Sequence, residues 1–138
     1  MKTSRIKKRI AAMMMVSVLS LWFALPNVAH AKTVTVEGRS VHTSLLVSSS
    51  SATATISYTE GPGQVAVTLS GRACTPLNPL MSVAISEKKN SNPTPGGSSV
   101  SISAPSGYIM CFAYSLCEYD VNINGTTYSG KIPEYWTS

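Results

Sequence analysis

Ionisable chemistry is scarce in this chain. Its 138 residues carry two histidines and six acidic residues, and charged side chains make up only 12% of the total. One histidine, His30, falls in the N-terminal segment, which leaves His42 as the single imidazole for any His-dependent catalysis beyond it. Ser44 would share a strand face with His42 at about 6.6 Å, too far for the hydrogen bond a general base makes. A small secreted hydrolase using His42 is therefore the least supported of the functional readings. Zinc is disfavoured by the same scarcity, since there is neither a histidine pair nor a Cys-x-x-Cys among the three cysteines. Glu118, Asp120 and Asn122 alternate along one predicted strand, but neighbours about 6.6 Å apart do not converge on an ion that needs oxygen ligands at roughly 2.4 Å. The acids as a whole are scattered, with no reason to select a pair for glycoside hydrolysis. The expectation is of no catalytic residue, no metal and no cofactor, and the chain does not read as an enzyme.

A basic stripe is missing as well. The formal net charge of +5 is concentrated at the start, in Lys2, Arg5, Lys7, Lys8 and Arg9. An apolar run from Ile10 to Leu25 follows, then the small-residue exit Ala29-His30-Ala31. This tripartite order is that of a cleavable secretory signal, and the apolar run of about 15 residues is shorter than the roughly 20 of a bilayer span. Residues 1–31 are thus expected to be the signal peptide and residues 32–138 a single domain with Lys32 as its mature N-terminus. In that domain six basic residues balance six acidic ones. Without excess positive charge, nucleic-acid binding loses its main source of affinity, and strong attraction to an anionic membrane surface is not expected. No stable membrane insertion is expected after cleavage, and the location is secreted or extracellular.

What the domain does have is alternation. Thr33 to Glu37, Val41 to Val47, Ala52 to Tyr58, Val65 to Leu69, Met81 to Ile85 and Val100 to Ile102 place apolar residues at every second position, the pattern of strands with one buried face. No segment shows helical periodicity. Glu60-Gly61-Pro62-Gly63 separates two of these runs by a hairpin-sized gap, and Asn124-Gly125 is a strong signal for a two-residue type I′ turn. That turn sets Ile123 against Thr126 and Val121 against Tyr128, with Cys117, Tyr119, Val121 and Ile123 facing inward. Two connections look long: Gly71 to Leu80, and the polar, proline-bearing Glu87 to Ser98, which reads as the most mobile internal loop. The fold class expected is all-β, a two-sheet antiparallel sandwich of immunoglobulin-like or jelly-roll kind with about 7–9 strands.

Three cysteines in an exported domain imply one disulfide and one spare thiol. If the run from Gly107 to Ile123 is extended, Cys111 and Cys117 lie about 20 Å apart and cannot pair with each other. Phe112 to Leu116 contains no turn former, so Cys74 is expected to bridge to one of them. Cys117 is the favoured partner because the hairpin register turns it inward. Cys111 would then be free, and a homo-oligomer joined through it is one consequence. Tyr128, Tyr135 and Trp136, with Tyr108, Phe112, Tyr114 and Tyr119 near them in sequence, could form a recognition surface, although aromatics also close the end of a core. The functional expectation is a secreted, non-catalytic binding or assembly module for an extracellular protein or glycan. The alternative is a small secreted inhibitor or toxin-like protein acting through the 87–98 loop.

Overall fold

The computed structural model describes residues 28–138. The basic head and apolar run of the expected signal lie outside the described residues. The rest is all-β and antiparallel, as expected, with six strands: β1 (Val28–Val36), β2 (Arg39–Val47), β3 (Ser51–Thr75), β4 (Asn78–Ser103), β5 (Ile109–Ile123) and β6 (Thr126–Thr137). Turn chemistry sets the hairpins. Asn124 and Gly125 both have positive φ, as the β5–β6 turn requires, and Ile123 faces Thr126 and Val121 faces Tyr128. Glu37 and Gly38 make the equivalent turn between β1 and β2.

β3 and β4 depart most from the expected map. They run 25 and 26 residues and pair with each other from Ser51↔Ser103 to Thr75↔Asn78. On its other side β3 pairs first with β2, through Ala52 to Ser57, and then with β5, from Gly63 to Cys74. Glu60-Gly61-Pro62-Gly63 is therefore not a hairpin between two strands. It is a bend within one strand, marked by a register step between Tyr58 and Gly63. Gly63 has φ 152°, and a Cβ there would meet Val121 Cα at 2.8 Å, so the bend needs glycine at this point.

Because β3 and β4 pass through the bend, the two separate sheets expected from sequence are replaced by one six-stranded sheet that curls on itself as a half-barrel. The strand count falls from 7–9 to six because four of the predicted runs merge into these two strands. The two ends of the curled sheet face each other across the core. Cys117 Sγ lies 3.7 Å from the Thr55 carbonyl, and Lys32 Nζ of β1 meets Glu134 of β6 at 2.9 Å.

The enclosed face is filled by the alternating residues the sequence marks. Val41, Leu45 and Val47 of β2, Ile56 and Tyr58 of β3, Leu69 farther along β3, Ile102 of β4 and Val121 of β5 are all fully buried. Each such side chain contributes about 1.5–3 kcal/mol relative to exposure, which makes this face the main source of stability. Trp136 and Ile132 close the β6 side.

The segment 87–98 is not a loop. It lies within β4, paired with β3 from Lys88↔Leu69 to Ser98↔Ile56. Its polar composition is that of a free edge, since β4 pairs only with β3. Lysines and prolines on such an edge discourage pairing with other chains, and an edge position tolerates the missing proline N–H. Asn90 and Asn92, which point back across the curl, donate to the Ser99 and Gly97 carbonyls.

The disulfide also differs from the expectation. Cys74 bonds Cys111, and Cys117 is the free, buried thiol. β5 is unbroken between Cys111 and Cys117, as expected, but it carries a bulge. Arg72 pairs with Phe112 and Ala73 with Met110, which leaves Cys111 as the extra residue. The bulge breaks the alternation and releases Cys111 toward Cys74, while Cys117 faces inward opposite Val67 and Ile132. Non-reducing peptide mapping should recover the Cys74–Cys111 pair. The bridge closes a separation of 37 residues, so replacing both cysteines by alanine should lower stability by about 4 kcal/mol in the chain-entropy model, read from urea unfolding.

Candidate binding surface

The Asn124-Gly125 register that fills the core also decides which aromatic side chains reach the outside. On β6, Tyr128 and Trp136 turn to the enclosed face and Tyr135 turns away from it. Of the expected surface Tyr128, Tyr135 and Trp136, only Tyr135 is thus open, at 66% exposure, while Trp136 is at 9%. The other two are core residues because they sit opposite Val121 and Ala113, both buried. Tyr135 instead pairs across strands with Tyr114, and its outward neighbours Thr137 and Pro133 face Phe112 and Leu116. Phe112, Tyr114 and Leu116 are half-buried on the outer side of β5, opposite in sense to the buried Ala113, Ser115 and Cys117.

β3 extends this outer face with small residues. Ser70 lies beside Tyr114, Thr68 beside Leu116 and Ala66 beside Glu118. Aromatic and aliphatic side chains therefore occupy one end of this outer sheet face. The other end is polar: Glu118 faces Lys131, and Asp120 accepts a hydrogen bond from the Ser129 hydroxyl. Two shallow depressions flank these carboxylates. One, of about 260 Å³, is lined by residues including Ser129 and Lys131, and one of about 220 Å³ by residues including Gln64, Lys89 and Ser91.

His42, Ser44 and Asn122 each have a local hydrogen-bond partner. His42 is exposed, and its Nδ1 lies 3.0 Å from the Thr33 hydroxyl, while Ser44 bonds the Thr55 hydroxyl instead of His42. Glu118, Asp120 and Asn122 do not converge: Asn122 Oδ1 accepts from the Gly125 N–H at 3.0 Å to close the hairpin turn. Among the described residues no group of three His, Cys, Asp or Glu side chains could hold a metal, and no helix is long and apolar enough to cross a membrane.

Compared with models of protein families, with curated proteins and with solved structures, the chain matches none.

One polar cluster lies at the rim of the core, between β1 and β6. Glu134, mostly buried, takes Lys32 as its ion partner with His30 at 3.8 Å, and its cross-strand neighbour is Ser115. Cys117 stands two residues from Ser115 on the same face. Burial, then the Glu134 carboxylate, pushes the Cys117 thiol up to about 11 from 9.0. That direction is opposite to the one an activated nucleophile needs, so the cluster is a structural seam. The folded-state value lies above the unfolded one, so the thiol's contribution is complete below about pH 9 and is lost as pH rises from about 9 to about 11. Cys117→Ala should flatten this part of the alkaline loss of stability in urea midpoints taken across that range. In the native oxidised protein Cys117, at 1% exposure, should resist thiol reagents until the chain unfolds.

Proposed function

We propose that this chain is an exported, non-catalytic recognition module, and that the outer face of β5 and β6 binds an extracellular glycan. The observation that carries the reading is the row of Phe112, Tyr114 and Tyr135 on the outer face of the sheet, set against small hydroxyl residues of β3. Rings held by a sheet offer stacking area at little entropic cost, which suits the apolar face of a sugar. Glu118, Asp120 and Ser129 at the polar end supply acceptors and a hydroxyl for the sugar's own hydroxyls. Chemistry would need an activated group beside this face. The thiol is raised and enclosed, and the one histidine beyond the expected signal is spent on Thr33.

The inhibitor reading relied on a free loop at 87–98, and that segment is paired strand. Attachment of two chains through Cys111 has lost its thiol to Cys74. Export rests on the sequence pattern, and it is supported by a disulfide, which persists in oxidising compartments.

Two measurements test the reading. The protein recovered from the medium should begin at Lys32 on N-terminal sequencing. On a glycan array Tyr135→Ala should weaken binding of the best-bound sugar by about tenfold, and Tyr114→Ala similarly, with unchanged thermal midpoints. Retained binding in both variants would place the ligand elsewhere.

A further inference from the structure

The end of the β3–β4 hairpin projects beyond the paired body, and its side chains are apolar. Leu77 is 99% exposed, Leu80 92% and Met81 59%, and Ile109 beside the disulfide is 39% exposed. No charged residue occurs between Arg72 and Glu87. Large aliphatic groups left this open in water carry a cost that ordinary turn residues avoid, so their retention at a tip points to a partner phase.

The backbone of the tip narrows what that phase is. Pro76 and Pro79 have no N–H to satisfy. The Leu80 N–H donates to Asn78 Oδ1 at 3.2 Å, and the Thr75 hydroxyl donates to the Asn78 carbonyl at 2.7 Å. Two backbone groups of the turn are thus met by its own side chains, which lowers the cost of bringing them into a medium poor in donors and acceptors. The Cys74–Cys111 bridge ties the hairpin to β5 just behind the tip. Arg72 lies about 10 Å behind Thr75 at about 3.3 Å per residue. Its guanidinium is held along the hairpin by Ser82, with Nη2 to Oγ at 2.9 Å. That depth matches the phosphates of a bilayer whose interfacial zone has received the tip. Glu87, Lys88 and Lys89 follow at about 20 Å, beyond a Debye length of about 8 Å, so they add little.

We propose that this hairpin tip docks on a phospholipid bilayer, with Leu77, Leu80 and Met81 entering the interfacial zone and Arg72 meeting lipid phosphates. The near-neutral charge of the whole domain does not oppose this, because the apolar tip carries the binding. Docking is peripheral: Phe112, paired with Arg72, would lie level with the phosphates, while Tyr114 and Tyr135 stand one step farther from the bilayer.

Vesicle sedimentation tests the proposal, using the oxidised chain from Lys32 with vesicles of phosphatidylcholine alone and of phosphatidylcholine mixed with phosphatidylglycerol. The parent should sediment with both kinds and more with the mixture. The pair Leu77→Ser and Leu80→Ser, at positions that support no core, should reduce partitioning by about tenfold or more with an unchanged thermal midpoint. Arg72→Gln should remove most of the preference for the mixture. A Leu77→Trp variant should shift its emission to the blue on adding vesicles, a readout independent of sedimentation. Absence of sedimentation by the parent, undiminished binding by the double serine variant, or no blue shift would each overturn the proposal. So would self-association without vesicles that the double serine variant abolishes, because the tip would then be an interface between copies of this chain.

Discussion

The structure depends on one strand being paired on both sides through a bend. β3 holds β4 along its whole length on one edge, and divides the other edge between β2 and β5. Its hydrogen bonds therefore fix the register of three other strands at once. A slip of one residue in β3 would turn Ile56, Val65, Val67 and Leu69 outward together, and the lost burial makes such slips unfavourable. The bend is tied down where β2 begins: Arg39 Nη1 donates to the Glu60 carbonyl at 2.7 Å, and the Ser40 N–H donates to the Glu60 carboxylate at 2.5 Å. Curling the sheet at this point brings β2 over β5 and β6, and only then does the alternation along every strand define one enclosed core.

Local rules were legible where a single residue pair dictates geometry. Asn124-Gly125 fixed the β5–β6 register, and the buried Cys117, Val121 and Ile123 follow from it by parity alone. The same parity, carried to the end of β6, places Tyr128 and Trp136 inside and pairs Tyr135 with Tyr114. The outer aromatic face was therefore readable from sequence by extending one register, and treating the tail as a cluster by proximity obscured it. Glu37-Gly38 was a quieter version of the same signal.

Other features were not legible, and for physical reasons. Edge strands and loops draw on the same residues, because both must refuse further pairing: Lys88, Lys89, Pro93 and Pro95 serve an edge in β4 yet read as a loop. A bend and a hairpin both call for glycine beside proline, and Glu60-Gly61-Pro62-Gly63 does not reveal whether the chain returns or continues. The bulge at Cys111 leaves no compositional mark, but it reverses the parity on which the choice between Cys111 and Cys117 rested. Each failure is a long-range pairing decision made by β3, beyond the reach of a local window.

The seam between the outermost strands bears on where the chain is cut. β1 begins its pairing with β2 at Val28↔Val47, so Val28 to Ala31 lie beside the last four residues of β2. Cleavage after Ala31 would remove that stretch and make Ser44 to Val47 of β2 the edge of the sheet. It would leave Lys32, whose Nζ sits 2.9 Å from Glu134, and with it the contact that joins β1 to β6. The new α-amino group would lie on the residue that already faces the Glu134 carboxylate, adding positive charge where the seam holds negative charge. His30, at 3.8 Å from the same carboxylate, would be lost. The cut expected from the small residues Ala29 and Ala31 thus preserves the Lys32–Glu134 ion pair, which ties together two strands with no hydrogen-bonded ladder between them.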